Sequence, residues 1–116
     1  MSLFNNKILN EVDLEELKEY CFEYRPKTNK ELLSLMEKFK YNGDLNFIDV
    51  SLIEDFSEAF KNRYLKNVDI SCWDVSKGKK FNGMFKNSSE FHGDISNWDM
   101  RNAVSLREMF YKHRSL

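Results

Sequence analysis

Three stretches of this chain lie over one another at a spacing of 25 residues, with no insertion needed. Asp44-Leu-Asn-Phe-Ile-Asp-Val50 matches Asp69-Ile-Ser-Cys-Trp-Asp-Val75, and both match Asp94-Ile-Ser-Asn-Trp-Asp-Met100. The same period carries Phe56, Ala59 and Phe60 onto Phe81, Met84 and Phe85, then onto Leu106, Met109 and Phe110, and all nine are apolar. A unit this short cannot bury its own apolar face, so neighbouring units must cover one another.

Each unit has two parts. The opening tract, Asp, Leu or Ile, two variable residues, Ile or Trp, then Asp, predicts a short strand. The closing tract places apolar residues at i, i+3 and i+4, the spacing of one helical face, and predicts one or two turns of helix. The expected fold is therefore an α/β solenoid: a leucine-rich-repeat-like stack of three strand–helix units over 44–68, 69–93 and 94–116, behind an amino-terminal two-helix cap over 1–43. Leu45, Ile70 and Ile95 would form adjacent rungs, with Trp73 and Trp98 as a second apolar ladder.

Stacked units would bring Asp49, Asp74 and Asp99 to about the strand spacing of 5 Å, where like charges repel. They are tolerable if each carboxylate accepts N–H bonds from the turn that follows it, the role assigned to all three. A calcium ladder is the functional alternative, but the glycine-rich nonapeptide loops of calcium-binding β-rolls are absent.

Before Asp44 the repeat is missing and helix-start signals replace it. Asp13 with Glu16, then Leu14, Leu17, Cys21 and Tyr24, predicts a first cap helix. Thr28 with Glu31, then Leu32, Leu33, Met36 and Phe39, predicts a second, ended by Asn42-Gly43. No equivalent piece follows the third unit. Its last residues leave an edge that is blunted by Lys112, His113 and Arg114, pairs with another chain, or continues in a longer protein. Gly83 is read as admitting close approach of neighbouring helices.

Composition narrows the function. The chain of 116 residues has a formal net charge of -1, and 15% of it is aromatic, which argues against disorder. Residues 1–60 hold 7 Lys/Arg against 13 Asp/Glu, whereas residues 61–116 hold 11 against 6. No apolar run approaches a membrane span or a signal-peptide core, so the chain as given reads as cytoplasmic, or as a surface protein if it is a fragment. Cys21 and Cys72, set among apolar neighbours, are read as buried free thiols. Neither they nor His92 and His113 have metal-ligand spacing, and no catalytic or phosphate-cradling motif is present. No enzyme, cofactor or metal is expected.

The repeat units resemble a known family. Asp69-Ile-Ser-Cys-Trp-Asp-Val-Ser76, Phe91-His-Gly-Asp-Ile-Ser-Asn-Trp-Asp99 and the pairs Met84-Phe85 and Met109-Phe110 are similar to the BspA-type leucine-rich-repeat-like family, whose pattern recurs in surface proteins of mycoplasmas and other bacteria. The resemblance covers about residues 24 to 110 and implies a bacterial binding module.

The expected function is a non-catalytic protein–protein interaction module. Its contact residues would be Asn46, Ser71 and Ser96, outward neighbours of the ladder, with Lys77, Lys79 and Lys80 as a basic rim. Self-association through the third unit would be a second contact. A regulator that binds nucleic acid, or a nucleic-acid-handling complex, through Lys61, Arg63, Lys66, Lys77, Lys79, Lys80, Arg107, Lys112 and Arg114 is the alternative.

Overall fold

The computed structural model describes residues 24–114, and the predicted helix from Asp13 lies outside them, as does Cys21. Thr28 opens the first element. Its backbone is extended and its hydroxyl accepts the Glu31 N–H at 3.1 Å, while the Glu31 carboxylate reaches back to the Lys27 N–H at 2.8 Å. Helix α1, Asn29–Lys38, follows and buries Leu32 and Met36. It stops earlier than Asn42-Gly43. Lys40 and Tyr41 both turn to positive φ, and their N–H groups bond back to the carbonyls of Glu37 (3.2 Å) and Met36 (3.1 Å), closing the last turn in a Schellman arrangement.

Strands β1 (Gly43–Asp44) and β2 (Val68–Asp69) pair in parallel, Gly43 opposite Val68 and Asp44 opposite Asp69. Further parallel bridges join Asp55 to Lys80, Tyr64 to Ser89, Lys80 to Ser105 and Ser89 to Arg114, each 25 residues on.

The predicted solenoid of strand–helix units behind a two-helix cap is overturned. The described residues form a small compact unit with one helix and two short parallel strands, and none of the three repeats contains a helix. The reason lies in where the backbone hydrogen bonds go. In a helix the Phe60 N–H would bond to Phe56; instead it bonds to Met84 in the next repeat, at 2.8 Å. Phe56, Glu58 and Asn62 likewise bond forward to Lys80, Asn82 and Lys86 at 2.8–3.0 Å. One repeat later, Phe81, Gly83, Phe85 and Asn87 bond to Ser105, Arg107, Met109 and Tyr111 at 2.7–2.9 Å. Every second N–H is thus committed to the neighbour.

Backbone handedness excludes the helix independently. Glu58, Gly83 and Glu108 have φ of 61°, 60° and 55°, and Asn62, Asn87 and Lys112 have φ of 63°, 56° and 55°, so each repeat turns left-handed twice at fixed positions. Gly83 serves that conformation rather than a close helix approach: a Cβ there would have no neighbour nearer than 3.6 Å. The i, i+3, i+4 pattern is met by consecutive turns, which put Phe56, Ala59, Phe60, Phe81, Met84 and Phe85 wholly out of solvent.

Strand pairing also stops short. Leu45 and Ile70 are buried behind β1 and β2, but the third copy, Gly93–Asp94, joins no strand, and Ile95 is only partly buried. Cys72, expected to be buried, is an exposed free thiol.

Candidate interaction surface

The repeat turns outward at its aspartates. Asp49 accepts the Ser51 N–H, Asp74 the Ser76 N–H and Asp99 the Arg101 N–H at 3.0–3.1 Å; Asp44, Asp69 and Asp94 do the same for Asn46, Ser71 and Ser96. Each is a short carboxylate bonding to the backbone two residues on, which fixes the corner without help from the core. Hydrogen bonds from Ser71, Ser96 and Arg101 hold Asp69, Asp94 and Asp99 below the ordinary carboxylate range. At Asp49 burial pushes the carboxyl up, but the Ser51 bonds and the Arg25 guanidinium at 3.1 Å outweigh it, and the net shift is downward.

Asn46, Ser71 and Ser96 therefore sit at corresponding corners. Asn46 and Ser71 are already engaged: the Asn46 amide oxygen accepts the Cys72 N–H at 2.8 Å, and the Ser71 hydroxyl donates to Asp69 at 2.7 Å. Lys77, Lys79 and Lys80 occupy a different corner, beside the Asp55–Lys80–Ser105 bridges, where Lys79 pairs with Glu54 at 3.2 Å. Trp73 and Trp98 face inward, and their indole N–H groups donate to the carbonyls of Leu45 (2.9 Å) and Ile70 (3.1 Å), tying each repeat to the one before.

The basic half is less free than its count suggests. Lys61 pairs with Glu58, Arg63 with Glu37 while lying over the Tyr41 ring at 3.9 Å, and Lys86 with Glu108 at 2.7 Å. That last pair raises the Lys86 pKa and lowers that of Glu108. Arg107, Lys112 and Arg114 have no ion pair among the described residues.

The feature that sequence reasoning placed in the core, and the structure places outside, is the outer face of the third repeat. Phe60, Phe85 and Phe110 form one stack, with ring centroids 5.5 and 5.4 Å apart and planes 6° and 0° from parallel. The stack ends in solvent: Phe110 is 47% exposed, beside Leu106 at 52%, Tyr111 at 48% and Val104 at 76%. The signal in the sequence was the match of Leu106 and Phe110 to Phe81 and Phe85, apolar positions that are buried only where a further unit packs on them.

The backbone of that face has one polarity. By the register of the preceding repeats, the N–H groups of Leu106, Glu108, Phe110 and Lys112 point outward, and they have no hydrogen-bond acceptor among the described residues. The carbonyls of Leu106, Glu108 and Phe110 turn back into local bonds from Met109, Tyr111 and His113 at 3.0–3.1 Å. The opposite end is closed. There the Asn29 amide donates to the Asp55 and Ser57 carbonyls at 3.0 and 2.9 Å, and the Glu37–Arg63 pair fixes α1 along the first repeat.

Among the described residues no three His, Cys, Asp or Glu side chains gather as metal ligands, and no helix is long and apolar enough to cross a membrane. The surface depressions are open, one beside α1 lined by Tyr24, Pro26, Leu35 and Lys38. Comparison with curated proteins finds no match, and comparison with solved structures finds none. The family model described as "Mycoplasma protein of unknown function, DUF285" matches residues 27–116, a span that takes in α1 and all three repeats. The chain belongs to the DUF285 family.

Proposed function

We propose that this chain is a non-catalytic protein-interaction module whose principal contact surface is the outer face of its third repeat. The observation that carries the reading is the contrast along one aromatic stack: Phe60 and Phe85 are fully buried, and Phe110, at the equivalent position, is half exposed with Leu106 and Tyr111 around it. Contiguous apolar surface rimmed by charge is the mark of a protein contact. The likeness of the repeat motif to the BspA-type binding family supports the same reading. Asn46, Ser71 and Ser96 at one corner, and Lys77, Lys79 and Lys80 at another, would be separate secondary contacts. Binding of nucleic acid through the basic half has less support, because Lys61, Arg63 and Lys79 are neutralised by nearby carboxylates.

Two variants test the assignment. A photo-crosslinking residue at position 64, itself exposed on the flank, is compared with one at position 104 in lysate of the source cells. Crosslinking to a polypeptide at position 104, abolished by the Leu106→Lys/Phe110→Lys pair and retained in Ser71→Tyr, is the expected result. Crosslinks confined to nucleic acid, or unaffected by that pair, overturn it.

A further inference from the structure

The exposed face of the third repeat does more than offer apolar area; its backbone states what kind of partner completes it. Between the first and second repeats, and again between the second and third, the joint is built the same way. One side supplies N–H groups at alternate residues and the other supplies carbonyls at alternate residues. The outer edge repeats the donor half of that joint at Leu106, Glu108, Phe110 and Lys112, and no acceptor half faces it among the described residues.

Two copies meeting through this face would set N–H against N–H, so symmetric pairing through the backbone is excluded by polarity. Head-to-tail pairing is obstructed, because the acceptor edge of the first repeat is occupied by the Asn29 amide at Asp55 and Ser57 under α1. The surrounding side chains add a sign. Arg107, Lys112 and Arg114 lie in the same repeat and have no ion pair among the described residues, Lys112 lying 5.5 Å from the Tyr111 ring, whereas Glu108 is already neutralised by Lys86.

Resting on the interaction reading above, we infer that this edge docks an acidic polypeptide segment. That segment would present backbone carbonyls at every second residue to Leu106, Glu108, Phe110 and Lys112, lay apolar side chains over Leu106, Phe110 and Tyr111, and place carboxylates near Arg107, Lys112 and Arg114. Main-chain bonds along an open edge supply affinity, and alternate side chains supply selectivity. The cations steer an acidic segment toward the edge.

The experiment uses the full chain and a synthetic peptide with the sequence of its own residues 53–65. That stretch carries Glu54, Asp55 and Glu58 and includes the residues whose counterparts in the second and third repeats supply the acceptor carbonyls. In the chain alone, amide exchange at Leu106, Glu108, Phe110 and Lys112 is about a hundredfold faster than at Phe81, Gly83, Phe85 and Asn87. Peptide at about ten times its Kd slows those four amides about tenfold. A scrambled peptide leaves them unchanged, and a version with its three carboxylates replaced by amides binds more weakly.

The inference is overturned if the four amides are already slow in the free chain, if the scrambled peptide protects them equally, or if only a single-stranded oligonucleotide does so. Its failure is separable from that of the function reading. Peptide binding that is lost in Leu106→Lys/Phe110→Lys, with no amide protected in the parent chain, removes the backbone joint and leaves the apolar surface standing. No peptide binding, together with no polypeptide crosslink at position 104, removes both.

Discussion

The joint between the first and second repeats and the outer face of the third are made of corresponding residues under opposite conditions. In the first, Phe56 stacks on Phe81 at 5.2 Å and Phe60 on Phe85 at 5.5 Å, all shut off from solvent. In the second, Leu106 and Phe110 hold the same register and are half exposed. The side chains do not account for the difference, since Phe60, Phe85 and Phe110 are identical. Position in the row decides it. Burial here is conferred by the next unit, and hydrophobic stabilisation scales with the area that unit removes from water.

The sharpest way to break this comparison is to truncate the stack at two depths. Phe85→Ala, between two rings, is expected to lower stability by about 3–5 kcal/mol, whereas Phe110→Ala costs about 1 kcal/mol or less in urea denaturation. Similar losses at both positions would mean that the outer ring is covered in solution. The indole anchors give the next effect. Trp73→Phe removes the indole donor from the buried Leu45 carbonyl, which keeps only the Ile48 N–H, a cost of about 1 kcal/mol, and Trp98→Phe, nearer the open side, is expected to cost less in the same assay.

The left-handed positions come third. Gly83→Ala is expected to destabilise by about 1 kcal/mol through its φ of 60° alone, since a Cβ has room there. Lys112→Asn, which places a residue more tolerant of that conformation at φ 55°, stabilises by about 0.5 kcal/mol, read as a rise in thermal midpoint.

The smallest effect is in pH. Asp49, Asp69, Asp94 and Asp99 all have folded pKa values below their unfolded value of 3.8, so the stability they contribute is complete above that value and is lost as pH falls through the lower folded values. Melting between pH 6 and 2 should show a decline confined to the acid end. Asp49→Asn should flatten it more than Asp94→Asn, because Asp49 alone of the two also meets Arg25.

The 25-residue register was legible before any coordinates because identical residues recur at identical spacing, and parallel pairing of Gly43 with Val68 and of Asp55 with Lys80 follows that spacing. The Thr28–Glu31 start of α1 was legible because a cap is a local event of four residues. The helix expected in each repeat was not there. Phe56, Ala59 and Phe60 fit a helical face, but apolar spacing records only which side chains turn inward, not which carbonyl receives each N–H. Glu58, Glu108 and Lys112 gave no warning of positive φ, which only Gly83, Asn62 and Asn87 at the corresponding positions advertise by residue type. The exposed row at Leu106 and Phe110 was legible only as an uncovered edge of the third unit, because its residue types are those of a core and their burial depends on a neighbouring unit.

One consequence follows from Asn29. Among the described residues its side-chain amide alone bridges α1 to the carbonyls of Asp55 and Ser57, which correspond to acceptors that join the later repeats. The two faces of the described unit are thus chemically unlike, one offering N–H groups and the other carbonyls of which Asn29 takes two, so the row of repeats has a direction.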